Sequence, residues 1–297
     1  MGTQTPGAVT ETVGVVGAGT MGAGIAITVV RAGHRTIVVD EEERSLEDGL
    51  DRVRRFLDRS VELGKLDPER RAGALAALSG AVELEALRDC DVVIEAVYED
   101  LPLKAELLGR LDVICRPDAV LHTNTSTLSV TAIAAGSKHP ERVVGTHYCN
   151  PAPLMKLVEV ARARQTSDEA YERTLRFLEG LGKTCVTVQD TPGFLVNRFL
   201  IPFENDCIRT LEAGVATAES IDRAVELGLG YPIGPFKLLD VVGLDVHQAV
   251  SLTLYEQLRD PRLAPPPLVD RMVAAGELGR KAGRGFYTYD EAGMFGG

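Results

Sequence analysis

The five cysteines, Cys90, Cys115, Cys149, Cys185 and Cys207, lie far apart and form no Cys-x-x-Cys pair. The usual signatures of a zinc site or a disulfide framework are therefore missing. No metal is expected, and the thiols read as reduced and mostly buried. The chain also lacks any run of about 18 apolar residues, so no membrane-spanning helix is expected. Positive charge is scarce: 32 Lys and Arg against 43 Asp and Glu leave a formal net charge of −11. That balance is ill suited to broad contact with nucleic acid or an anionic membrane. Met1 to Thr10 is polar, with neither the basic nor the apolar region of an export signal, and a cytoplasmic location is the expectation. No segment combines low hydrophobicity with runs of like charge, so a disordered chain is excluded.

What is present is core-forming material. The 297 residues are 45% hydrophobic, enough for one large domain or two modest ones. From Thr12 to about Val188, short β-branched runs alternate with helical stretches. The expected strands are Val13–Val16, Thr36–Val39, Val92–Ala96, Val120–Thr123, Val143–Thr146, Leu157–Val160 and Cys185–Val188. Such alternation predicts an α/β fold, a parallel sheet covered by helices on both faces. After Asp190 the runs lengthen to helical size, from Pro192 to Glu212, Ala218 to Leu227 and Asp245 to Leu258, with Gly and Pro at their ends. The expected division is a sheet domain over 1–189 and an all-α domain over 190–297. Within the first, a long charged segment over about 41–77 reads as a helical arm, because a minimal crossover would return to the sheet sooner. It carries Arg52, Arg54, Arg55, Arg59, Lys65, Arg70 and Arg71, which suit either a phosphate-bearing ligand or a solvated helix with Glu partners.

The first strand runs into Gly17-Ala18-Gly19-Thr20-Met21-Gly22, and helix formers follow. In a G-x-G-x-x-G turn the first glycine permits the bend and the second lets the backbone approach a pyrophosphate. The third lets helix and strand pack closely, and the helix N-terminus faces the phosphates. Asp40 ends the second strand about 20 residues later, where a carboxylate accepts from the ribose hydroxyls and repels a 2′-phosphate. With Glu41, Glu42 and Glu43 behind it, the expected cofactor is NAD rather than NADP.

His147 follows an apolar strand, at the edge where open α/β sheets bind ligands. Its imidazole suits a base working near neutrality. Glu159 sits inside the apolar run Leu157-Val158-Glu159-Val160, where a buried carboxylate needs a partner. That partner is His147 if the strands meet; otherwise Glu159 is an edge residue facing water. Ser126 and Asn197 stand at element ends, as turn and helix-start residues or as groups that hydrogen-bond a substrate oxygen. Cys149 lacks any acyl-transfer signature around it, so covalent catalysis is not expected.

These blocks, together with Val93-Ile94-Glu95-Ala96-Val97, Asn124-Thr125-Ser126, Pro192 to Arg198 and Gly279 to Tyr287, resemble the L-3-hydroxyacyl-CoA dehydrogenase family, in particular its 3-hydroxybutyryl-CoA type. The likeness spans Val13 to Tyr289. It implies a Rossmann-type NAD-binding domain with a helical arm, then an α-helical domain that forms a homodimer, with the active site in the cleft between. It further implies that His147 and Glu159 form the catalytic pair and that Ser126, Asn150 and Asn197 contact the substrate. Glu99 and Lys104 match positions lining the nicotinamide site, Lys281 resembles a further cofactor contact, and Lys65 stands nearest the family's CoA contacts on the arm. Tyr148, Cys149 and Thr127 depart from the family pattern at positions expected to border the acyl pocket, pointing to a short or polar acyl group on CoA. The same chemistry on a carrier-protein thioester or on a sugar acid such as gulonate, and a non-catalytic NAD-binding protein, are the competing readings.

Overall fold

The chain divides into two compact units, Met1–Phe194 and Leu195–Gly297, and the computed structural model describes residues 10–290. The polar stretch before Thr10 lies outside the described residues. In the first unit, β1 (Thr12–Val16), β2 (Arg35–Val39), β3 (Leu78–Ala81), β4 (Val92–Glu95), β5 (Val120–Thr123), β6 (Val143–Tyr148), β7 (Leu157–Arg162) and β8 (Thr184–Gln189) form one sheet. Their order is β3-β2-β1-β4-β5-β6-β7-β8. The order reverses between β1 and β4, which puts a ligand crevice at the carboxyl ends of those two strands.

Two features depart from the parallel sheet expected. Strand β7 runs antiparallel to β6, because the link over 149–156 holds no helix and is too short to cross over the sheet. Strand β3, Leu-Ser-Gly-Ala, was not expected at all. It is a half-exposed edge strand of weak β-formers, made a strand only by its pairing with β2.

Helices α1 (Thr20–Arg31) and α6 (Asp168–Gly180) cover one face, and α4 (Leu101–Ile114) and α5 (Val130–Ala134) the other. One core includes Val13, Val15, Ile25, Val29 and Val160; the opposite one includes Val93, Leu108, Leu111, Leu121 and Ile133. The helical arm is α2 (Glu43–Glu62) followed by α3 (Pro68–Ala76). Arm helix α2 buries Leu46, Val53 and Leu57 and comes so close to the glycine turn that a Cβ on Gly49 would lie 2.5 Å from the Ala18 carbonyl oxygen.

The second unit consists of α7 (Val196–Glu212), α8 (Ala218–Gly228), α9 (Pro235–Val242), α10 (Leu244–Leu258) and α11 (Pro267–Ala274), packed around Ile208, Phe236, Leu239, Leu244 and Val269. Helix α7 begins four residues later than expected, since Pro192 to Leu195 turns through positive φ at Gly193 and Phe194. The short helices α9 and α11 were missed, although each opens on a proline, a favoured first helical residue. Among the described residues, no helix is long and apolar enough to cross a membrane.

Candidate active site

The three glycines of the turn after β1 divide by what surrounds them. Gly17 has φ +96°, and a Cβ there would stand 2.7 Å from the Ala96 carbonyl oxygen; one on Gly22 would stand 1.7 Å from the Gly17 oxygen. Both are demanded by the protein's own packing. Among the described residues, a Cβ on Gly19 would meet nothing within 4 Å. Its missing side chain therefore serves not the fold but the space in front of α1, whose N-terminus no side chain caps. Asp40 reaches back to this turn, its carboxylate accepting from the Ala18 N–H at 2.8 Å and the Glu42 N–H at 3.2 Å. An open cradle, an uncapped helix end and a carboxylate at the second strand fit the pyrophosphate and adenosine ribose of NAD. Gly19→Ala is accordingly expected to cost less than about 1 kcal/mol of stability while weakening NADH binding about tenfold or more. A thermal melt and an NADH titration check both, and an unchanged NADH affinity would remove the cradle's role.

The antiparallel register pairs His147 on β6 directly with Glu159 on β7. Opposed residues on adjacent antiparallel strands project to the same side, and His147 Nδ1 lies 2.7 Å from Glu159 Oε2. The carboxylate is wholly buried and the imidazole nearly so, at 8% exposure. An ionised carboxylate only accepts, so Nδ1 donates and Nε2 presents its lone pair. That nitrogen lies 3.0 Å from Ser126 Oγ. The ring also packs against Phe194, 5.7 Å between centroids. Phe194 was not anticipated as part of the site. It is buried with φ +43°, a conformation a bulky residue seldom adopts, and the Pro192-Gly193-Phe194 run was the available signal. Lys183, also unanticipated, fastens the β6–β7 link by donating to the carbonyls of Ala152 (2.5 Å) and Met155 (2.8 Å).

Ser126 belongs to a loop after β5 that is gathered onto one carboxylate. Glu99 Oε1 accepts from Thr125 Oγ1 (2.6 Å), Ser126 N–H (2.8 Å), Thr127 N–H (2.9 Å) and Thr127 Oγ1 (3.2 Å). Burial pushes the Glu99 carboxyl up, but the Lys104 ammonium and these donors outweigh it and hold it below the usual carboxylate range. Lys104 itself has no exposed surface. Its Nζ is committed to Glu95 Oε1 at 2.6 Å and to the carbonyls of Val97 and Asn124. Its influence on a bound nucleotide therefore passes through the oxygens it holds rather than through contact.

Tyr148 corrects an expectation. Side chains alternate along a strand, so next to His147 it points to the opposite face, into the core with Val158 and Ala152. It does not border an acyl pocket, and among the described residues its hydroxyl finds no hydrogen-bond partner. Tyr148→Phe should leave kcat and KM unchanged and raise stability by about 1 kcal/mol, read as a higher Tm; a changed KM would return the residue to the pocket.

Asn150 is exposed just beyond β6. On the arm, Arg54 pairs with Asp51, Arg59 with Glu62 and Arg71 with Asp58, while Arg52 donates to the Ala18 carbonyl at 3.3 Å. Lys65, exposed in the turn between α2 and α3, has no carboxylate partner among the described residues. Asn197 and Lys281 belong to the second unit. Asn197 is half-buried in the first turn of α7, and Lys281 Nζ holds both oxygens of Asp245 at 2.6 and 2.7 Å.

A doubly wound sheet with a pyrophosphate cradle at its switch point and a His–carboxylate pair along the same edge defines an NAD-linked oxidoreductase. Residues 12–191 match the family model for the 3-hydroxyacyl-CoA dehydrogenase NAD binding domain, and 193–289 that for the C-terminal domain. The chain belongs to the 3-hydroxyacyl-CoA dehydrogenase family. It is 44% identical to a 3-hydroxybutyryl-CoA dehydrogenase of Mycobacterium tuberculosis over 281 residues, 94% of this chain and 98% of that one. The solved structure of M. tuberculosis FadB2 matches with a TM-score of 0.93 and 44% identity, covering 95% of this chain and all (100%) of that chain. The (S)-3-hydroxybutyryl-CoA dehydrogenase of Ralstonia eutropha matches with a TM-score of 0.89 and 41% identity, covering 95% and 100%.

Proposed function

We propose that the protein catalyses the reversible oxidation of a short-chain L-3-hydroxyacyl-CoA to the 3-oxoacyl-CoA. The observation that carries this reading is the line Ser126 Oγ, His147 Nε2, His147 Nδ1, Glu159 Oε2, joined at 3.0 and 2.7 Å. NAD, which the glycine turn and Asp40 would hold, would supply the two-electron acceptor for the hydride of the carbinol carbon. His147 Nε2 takes the hydroxyl proton as that carbon becomes a carbonyl, and the resulting imidazolium is stabilised by Glu159 across the strand pair. Ser126 Oγ, within reach of the same nitrogen, hydrogen-bonds the substrate oxygen and keeps it beside the base. In the reducing direction the imidazolium returns the proton to the forming alkoxide.

Asn150 and Asn197 complete the substrate's polar contacts in this reading. Lys65, cationic and without a carboxylate partner among the described residues, is offered to the CoA phosphates. Asp40, the glycine turn, Glu99, Ser126 and Lys281 serve the cofactor. The second unit exposes the apolar side chains of Phe199 (66%), Val215 (73%), Leu227 (79%) and Leu229 (63%), which a homodimer could cover; sedimentation tests that assembly directly. Five free thiols fit a cytoplasmic setting.

Initial rates followed by NADH absorbance on acetoacetyl-CoA, the matching acyl-carrier-protein thioester and gulonate test the substrate. The CoA ester is expected to be turned over fastest. A faster carrier-protein thioester or gulonate would replace it, and turnover of none would leave an NAD-binding protein without this chemistry.

A further inference from the structure

Glu95 and Lys104 form the most deeply buried ion pair along the ligand-binding edge: both side chains are 0% exposed, with Nζ 2.6 Å from Oε1. Such a pair is a poor stabiliser, since desolvating two charges offsets their attraction, and two well-packed apolar side chains often do as well. Its surroundings give it another task. Glu95 ends β4, where Ala96 abuts the glycine turn at Gly17. Its second oxygen accepts from Thr123 Oγ1 at 2.6 Å, and Oε1 also accepts from the Val97 N–H at 2.8 Å. The ammonium thus held does more than neutralise Glu95. It lies 3.6 Å from Glu99 Oε2 and 3.3 Å from the Asn124 carbonyl, which opens the Ser126 loop. Glu99 divides its oxygens, Oε2 toward Lys104 and Oε1 toward four donors of residues 125–127. An ionised carboxylate holds these donors more strongly than a neutral carboxyl would.

We propose that the buried Glu95–Lys104 pair is a positioning device for catalysis: it holds the Glu99 carboxylate ionised and in place, so that the 125–127 loop presents Ser126 Oγ to His147. This rests on the proposed role of His147. The charged groups facing Glu99 are Lys104 from α4 and, behind it, Glu95 from β4; the loop contributes neutral donors, and His147 is reached only through Ser126. With Lys104 gone, Glu99, whose side chain is 36% exposed, keeps the partial desolvation imposed by the groups around it and loses its counter-charge. Its carboxyl then protonates at higher pH, on the Oε2 that Lys104 has vacated; Oε1 loses its negative charge and accepts more weakly from the loop donors, and Ser126 loosens.

The test separates positioning from mere structural support. Lys104→Met alone leaves Glu95 buried without its cation and destabilises the fold. Glu95→Gln/Lys104→Met removes both charges and is expected to regain most of the lost Tm. If the pair positions the site, the double variant still loses about tenfold to a hundredfold in kcat, and the acid limb of its kcat profile moves to higher pH. Carbon-13 NMR of the Glu99 carboxyl in the ligand-free protein, which needs no substrate, should show titration below the usual value of about 4.3 in the parent and at or above it in the double variant. An unchanged Glu99 titration, or a double variant with parental kcat and pH profile, overturns the proposal. A shifted titration in a protein inactive on every thioester would uphold the device while removing the activity it was assigned to serve.

Discussion

Replacing His147 by Ala is expected to lower kcat by about 10²–10⁴-fold, with NADH affinity unchanged. The separation follows from the fold. The imidazole stands on β6 with Nε2 toward Ser126 and Nδ1 toward Glu159, whereas the pyrophosphate cradle is built from the turn after β1 and the start of α1. Loss of the ring removes the proton acceptor and leaves the nucleotide's own contacts intact. His147→Gln keeps a polar side chain without a base in the working range, and should be as slow as Ala. Steady-state rates with an NADH titration on the same preparations decide the matter. A variant within about threefold of the parent would be incompatible with imidazole as the base, given the size of general-base effects.

Glu159→Gln should lower kcat by a comparable margin for a different reason. An amide at this position can donate to Nδ1, which drives the ring proton to Nε2 and turns the base's lone pair away from the substrate; the same change in a serine-protease triad costs about 10⁴-fold. The amide also stabilises an imidazolium less well than the carboxylate does. Stability should change less, by about 1–3 kcal/mol, since one buried hydrogen bond is weakened in a site of unchanged shape. Glu159→Ala adds a cavity in a wholly buried position and should lower Tm further. Measuring kcat and Tm on both variants distinguishes tautomer control from packing. A Gln variant with near-parental kcat and lowered Tm would reduce Glu159 to a structural residue.

How much of this could be read in advance varies from residue to residue. The glycine turn and Asp40 were legible because their chemistry is local: a bend, a helix start and a strand end lie within one short stretch, and their spacing is set by chain geometry. Tyr148 was misplaced although a local rule suffices, since neighbours on a strand face opposite sides of the sheet. The antiparallel course of β7 was likewise implicit in the short, helix-free link before it. Edge strand β3 was not legible, because residues as weakly β-forming as Leu-Ser-Gly-Ala take their conformation from a partner strand.

The site residues divide along the same line. Spacing left Glu159 either beside His147 or facing water, and only the register of β6 on β7 resolved it, since a slip of one residue would send the carboxylate to the other face. The environments of Glu99 and Lys104 arise where β4, β5 and α4 converge, segments up to 28 residues apart in the chain. By itself the sequence determined that this chain builds an NAD cradle at the head of an α/β sheet and carries a histidine on a later strand. Tertiary structure alone decided that Glu159 holds that histidine and that a buried lysine stands behind Glu99. Hydrogen bonds and charge pairs act across space over a few ångströms, and which groups come that close depends on strand register and packing, not on distance along the chain.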